Sequence, residues 1–147
     1  MDYSKWMTNL PAAKRLLPFR ELVIPGSHNA GTYTMKFGQS MWGQCQNNTV
    51  YDQLQAGSRF LDIRARKNPQ GDWTIRHGPL DANVLLEVTI ADLARFAKEN
   101  PKELIVLNLS LEGSVNSDRQ RVINNLGHCT YGIGYHNCYG RQYNVLV

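Results

Sequence analysis

Within RFLDIRAR, residues 59–66, apolar Leu61, Ile63 and Ala65 alternate with Phe60, Asp62, Arg64 and Arg66. A period of two predicts a strand that buries the first set and presents Asp62 and Arg64 on the other face. The same period returns in ELIVLNLSLEG, residues 103–113, where Leu107, Leu109 and Leu111 face one way and Asn108, Ser110 and Glu112 the other. That is the pattern of a barrel strand with its polar side inward. Shorter strands are predicted at 21–24, an apolar run closed by Pro25-Gly26, and at WTIRHG, 73–78, after the turn signal NPQGD. Helical spacing marks three further segments. Residues 48–55 end before Gly57, and a stretch with capping-box spacing at Thr89 and Asp92 stops at Asn100-Pro101. The third, 117–126, places Val122, Ile123 and Leu126 inward and stops at Gly127. Residues 127–147 show little periodicity and are left unassigned.

Strands alternating with helices predict an α/β chain with a largely parallel sheet. In such folds the loops after the C-terminal ends of the strands carry the chemistry. Those positions hold Ser27-His28-Asn29, Asp62 with Arg64, and His77. A length of 147 residues fits one domain. With 42% apolar and 19% charged residues the composition is that of a globular protein. No apolar run reaches the ~18 residues that span a bilayer. Residues 1–20 contain no signal-type apolar core, so the expectation is a cytoplasmic protein or one peripheral at a membrane.

The net charge of +4 is uneven: Lys and Arg exceed Asp and Glu by nine to five before residue 76 and match them seven to seven from there on. Such a bias suits an anionic ligand or surface. No basic run or aromatic-laced basic stripe appears, which argues against nucleic acid. Cys45, Cys129 and Cys138 lack metal-type spacing and read as free thiols; His128 and His136, eight residues apart, form no zinc signature. Trp6, Trp42 and Trp73 are expected in core or rim packing.

Taken singly, a histidine after a strand reads as a hydrogen-bonded structural residue, and Asp62 with Arg64 as an ion pair. Gathered at one rim, they are what metal-free phosphodiester cleavage requires. One imidazole takes a proton from the attacking hydroxyl, the other gives one to the leaving oxygen, and a guanidinium holds the phosphate oxygens.

LVIPGSHNAGTY, QLQAGSRFLDIRAR, RHGPL and KENPKELIVLNLS, within residues 4–126, resemble the successive motifs of the X domain of phosphatidylinositol-specific phospholipase C, above all its bacterial, metal-independent branch. The resemblance implies a TIM-type (β/α) barrel of the PLC-like phosphodiesterase kind. Since a closed barrel takes about 250 residues, the expectation is its N-terminal half, a single incomplete catalytic domain over 1–147. The missing half, or another copy of the chain, would then complete an exposed parallel edge.

The resemblance makes His28 the general base, His77 the general acid, Arg64 the phosphate clamp and Asp62 the residue that orients it. Asn29, Asn108, Ser110 and Glu112 fall at substrate-binding positions. The implied partners are a phosphoinositide or other anionic phosphodiester lipid and a membrane surface. No cofactor or metal is expected. Calcium, through Asn29 and Asp62, is the alternative, and Arg64 at a ligand position of the calcium-dependent relatives opposes it. Where the bacterial enzymes carry aspartate after the first histidine, this chain has Asn29.

Overall fold

The computed structural model describes residues 2–127, 134–138 and 142–146. Seven strands form one sheet: β1 (Gly26–Ser27), β2 (Phe60–Lys67), β3 (Trp73–His77), β4 (Leu80–Leu85), β5 (Val106–Glu112), β6 (Gly134–Cys138) and β7 (Gln142–Leu146). Their order is β4-β3-β2-β5-β7-β6, with β1 paired to the start of β2. The helices are α1 (Ala12–Arg15), α2 (Ser40–Gly43), α3 (Val50–Gln55), α4 (Leu86–Glu99) and α5 (Asn116–Gly127).

The alternation in β2 and β5 sorts side chains as expected. Leu61, Ile63, Ala65, Leu107, Leu109 and Leu111 are all buried, together with Ile75 of β3, and they pack with Val50 and Leu54 of α3, Leu93 and Phe96 of α4, and Val122 of α5. Each buried Leu, Ile, Val or Phe side chain among them contributes roughly 1.5–3 kcal/mol relative to exposure. The opposite face carries Asp62, Arg64 and Arg66 beside Asn108, Ser110 and Glu112, in register across the parallel pair. Ile123 and Leu126, expected inward on α5, have side chains outside the described ones.

Several expectations need correction. The sheet is mixed: among the described residues parallel pairing is confined to β1 with β2 and β2 with β5, and the other four pairings are antiparallel. The first strand is Gly26–Ser27 rather than 21–24, where a 3-10 turn closes at Glu21 and Val23 stands in solvent. Its anchor is the Pro25 carbonyl, which accepts from the backbone N–H of Arg59 and Phe60. Residues 80–85, unassigned from sequence, form β4 and run straight into α4 at Leu86. Thr89 is therefore a fully buried residue inside α4, not its cap. At α3 the cap is Thr49, whose hydroxyl accepts from the Asp52 N–H at 3.1 Å. Finally, the far edge of β5 is not bare: β7 pairs with it antiparallel from Val106 to Ser110, and β6 pairs with β7.

A buried ion pair fixes the start of both central strands. Arg59 donates through Nε and Nη2 to Glu103 at 3.0 and 2.8 Å, and through its remaining hydrogens to the carbonyls of Leu54, Ser58 and Ser4. Glu103 also accepts from the Thr8 N–H and hydroxyl at 2.8 and 2.6 Å. Both side chains are wholly buried. Trp6 closes this end, donating its indole N–H to the Gly57 carbonyl at 2.9 Å, where a φ of +107° calls for glycine.

Candidate active site

β1 ends at Ser27, so His28 is the first residue past the strand, and its ring is largely exposed, at 65% of the side chain. The chain then turns through Asn29, which adopts a left-handed φ of +48°. Asparagine tolerates that conformation better than most residues. The turn is pinned from two sides. Ala30 N–H donates to the Asp62 carbonyl at 2.8 Å, and the Thr32 N–H and hydroxyl both donate to the Asn29 carbonyl.

Asp62, only 9% exposed, is the hub. Oδ2 accepts from His28 Nδ1 at 3.0 Å, from Arg64 Nη2 at 2.9 Å and from the Asn29 N–H at 3.4 Å. Oδ1 accepts from Arg64 Nε and Asn108 Nδ2, each at 3.3 Å. One carboxylate thus orients both the exposed histidine and the guanidinium. A carboxylate only accepts, so His28 carries its proton on Nδ1 and leaves Nε2 as an acceptor. The Asn29 side-chain N–H meets that nitrogen's lone pair at 2.9 Å.

His77 reaches the same place by the antiparallel turn. Ala65 pairs with Ile75, so the register brings His77 beside Ile63, one residue from Asp62. Its ring lies 6.4 Å from that of His28, centroid to centroid and nearly perpendicular. Its Nδ1–H donates to the Gly43 carbonyl at 3.2 Å, with Cys45 Sγ at 3.6 Å.

An open pocket of about 340 Å³ adjoins this cluster, lined by Gly26, Ser27, His28, Phe60, Asp62 and Asn108. Of the residues expected to function, His28, Asp62, Arg64, His77, Asn29 and Asn108 come together. Asn29, however, is 99% buried and serves the cluster from behind. Ser110 pairs in register with Arg64, one step further along β5. Glu112 lies beyond it and forms an ion pair with Arg76 rather than facing the pocket.

Sequence reasoning gave Asp62 to Arg64 alone; its bond to His28 joins positions 34 residues apart and carries no local signal. It also placed Trp42 in packing, whereas Phe37, Met41 and Trp42 project into solvent on the stretch ending at Gly43, beside His77. Trp73 is buried as expected. Cys45 is a free thiol; Cys129 and His128, and the side chains of Cys138 and His136, lie outside the described residues. For calcium, the oxygens of Asp62 already face five N–H donors, from His28, Asn29, Arg64 and Asn108, and among the described residues no group of three or more His, Cys, Asp or Glu is gathered to hold a metal ion.

Comparison with known proteins gives one consistent result. The family model for the phosphatidylinositol-specific phospholipase C X domain matches residues 17–136. A 1-phosphatidylinositol phosphodiesterase of Listeria monocytogenes is 36% identical over 118 residues, covering 76% of this chain and 34% of the relative. One from Staphylococcus aureus is 31% identical over 105 residues, covering 71% and 33%. The chain therefore spans about a third of the length of these curated relatives. Among solved structures, the phosphatidylinositol-specific phospholipase C of L. monocytogenes superposes with a TM-score of 0.72 at 27% identity, over 95% of this chain and 51% of that one.

Proposed function

Because the chain belongs to the family of the phosphatidylinositol-specific phospholipase C X domain, we propose that it cleaves the head-group phosphodiester of a phosphoinositide without a metal. His28, held by Asp62 through Nδ1, takes the proton of the inositol hydroxyl at Nε2 as that oxygen attacks phosphorus. The Asn29 amide gives up that lone pair to the incoming hydroxyl. Arg64, aimed by the same carboxylate, clamps two non-bridging oxygens and offsets the charge that builds on them; one such donor is worth ~3–4 kcal/mol of barrier. His77, as the imidazolium whose Nδ1–H rests on the Gly43 carbonyl, gives its Nε2 proton to the departing glycerol oxygen and is left neutral. Diacylglycerol leaves and an inositol cyclic phosphate forms, which water then opens with the two histidines in exchanged roles. Asn108, on the pocket wall, and Ser110 contact the head group.

The convergence of His28, Arg64 and His77 around Asp62, beside an open pocket, carries this reading. Exposed Phe37, Met41 and Trp42 next to His77 support a membrane surface as the place of reaction, since aromatic and apolar side chains at a rim partition into the lipid interface. The unit proposed is a single X-type domain whose sheet forms part of a TIM-type barrel wall.

A second reading, binding of anionic head groups without turnover, draws on the Asn29 amide already seated on His28 Nε2. Release of inositol phosphate from phosphatidylinositol vesicles, with chelator present, separates the two. Turnover that survives chelator and disappears in His28→Ala supports the enzyme; head-group binding with no turnover supports the binder; turnover abolished by chelator overturns the metal-free mechanism.

A further inference from the structure

Beside His77 stands a group for which the proposed reaction has no use. Cys45 Sγ lies 3.6 Å from His77 Nδ1, 3.6 Å from Asn29 Nδ2 and 3.7 Å from the Gly43 carbonyl. Cys45 is exposed, but its backbone is held: the Cys45 N–H donates to both the carbonyl and the hydroxyl of Thr32, at 3.3 Å each, and Thr32 is fully buried. The donor and acceptor roles follow from chemistry. An amide N–H only donates, so sulfur accepts from Asn29. A carbonyl only accepts, so the S–H points to Gly43. What remains of the sulfur's lone-pair density faces the His77 Nδ1–H, which the Gly43 carbonyl also attracts.

We propose that Cys45 is a positioning residue for His77. The thiol and the Gly43 carbonyl form a two-point seat that keeps the Nδ1–H turned into the protein and leaves Nε2 as the nitrogen offered to substrate. Asn29 extends the seat. Its side-chain N–H groups reach both His28 Nε2, at 2.9 Å, and Cys45 Sγ, so an unbroken run of contacts links the two imidazoles. The left-handed backbone and near-complete burial of Asn29 hold that residue within the turn. The inference rests on His77 acting as the acid, yet the orientation of its ring can be read without any reaction.

The test compares Cys45→Ala and Cys45→Ser with the parent chain, by turnover on phosphatidylinositol vesicles and by nitrogen-15 spectra of the histidine rings in substrate-free protein. Loss of one neutral hydrogen bond lowers kcat about three- to tenfold in Cys45→Ala, with KM within about twofold. Serine, which keeps a donor and an acceptor, recovers most of the loss, and the unfolding midpoint of both variants stays with the parent. In spectra recorded with the ring neutral, Cys45→Ala moves the His77 signals toward a mixture of the two tautomers. An active chain whose kcat is unchanged by Cys45→Ala, or His77 signals identical in variant and parent, overturns the proposal. A parent chain without turnover refutes the proposed reaction instead, and the spectra alone then decide the role of Cys45.

Discussion

Arg64 and Arg66 share one face of β2 but work in different circuits, and replacing each by alanine separates them. Arg64 is held by Asp62 at 2.9 and 3.3 Å, beside His28, with 41% of its side chain open to solvent. Arg66 lies about 6.6 Å further along the strand, at ~3.3 Å per residue. Its fork is spent on Asp81 of β4 at 2.7 and 2.9 Å, with the Pro79 carbonyl at 3.3 Å. On the proposed mechanism Arg64→Ala removes the donor that clamps the phosphate, which costs kcat about 10²–10³-fold. Arg64→Lys keeps the charge but loses the planar fork, and falls between. Arg66→Ala breaks a partly exposed ion pair worth ~0–1 kcal/mol, so the unfolding midpoint drops by no more than about 4 °C and kcat stays within about threefold. Inositol phosphate release under chelator, paired with thermal unfolding, reads both. Comparable losses of kcat in Arg64→Ala and Arg66→Ala would refute the assignment of the clamp.

Glu103→Gln leaves the buried Arg59 without its carboxylate, a loss of ~3–5 kcal/mol that lowers the urea midpoint. Burial pushes the Glu103 carboxyl up, but the bonds from Thr8 and Arg59 outweigh it and hold the group below its ordinary value of 4.5. The folded value thus lies under the unfolded one, so this stabilisation is complete above about pH 4.5 and fades as pH falls through the folded value. Acid unfolding followed by circular dichroism should show that component in the parent and not in Glu103→Gln. Trp42→Ala removes a largely exposed indole and weakens sedimentation with anionic vesicles about tenfold, while hydrolysis of a soluble, micelle-free substrate is unchanged; equal vesicle binding by the variant would remove Trp42 from the lipid contact. At Gly31 an added Cβ would stand 2.9 Å from Ile75 Cγ2, so Gly31→Ala overpacks the core and costs ~1–3 kcal/mol in chemical unfolding.

The parts of the fold legible in the sequence were those written in short-range periodicity. β2 and β5 bury one side chain in two, and the alternation of Leu61, Ile63 and Ala65, or of Leu107, Leu109 and Leu111, leaves little choice of face. The turn around His28 was marked by Pro25 and Gly26. Strand direction between β2 and β3 is legible too. Only five residues, 68–72, connect β2 to β3, and a connection that short joins antiparallel neighbours, since a parallel return needs a dozen residues or more. Asn68 closes that turn by accepting from the Gln70 and Asp72 N–H groups. Contacts between distant positions had no such signature. Arg59 and Glu103 are 44 residues apart, and nothing local distinguishes Arg59 from a surface arginine. The short β1 defeats apolar-run reasoning for another reason: its pairing depends on the backbone at Pro25 and Gly26, not on the burial of Leu22 or Val23.

The same hairpin decides whether a site exists. Were β3 parallel to β2, as strict βα alternation predicts, its C-terminal end would lie near Lys67, about 16 Å along the strand from Asp62 at ~3.3 Å per residue. His77 could then never face His28. By folding back at residues 68–72 the chain delivers His77 to the first half of β2, where β1 has already delivered His28. Position alone does not orient either ring, and here the two differ. His28 takes its direction from an inward carboxylate on β2, shared with Arg64 and Asn108. His77 takes its direction from the loop at 43–45, through a carbonyl and a sulfur. In the proposed reaction, a base steadied by negative charge and an acid steadied by neutral acceptors form an asymmetry suited to moving a proton from one imidazole's side of a phosphate to the other's.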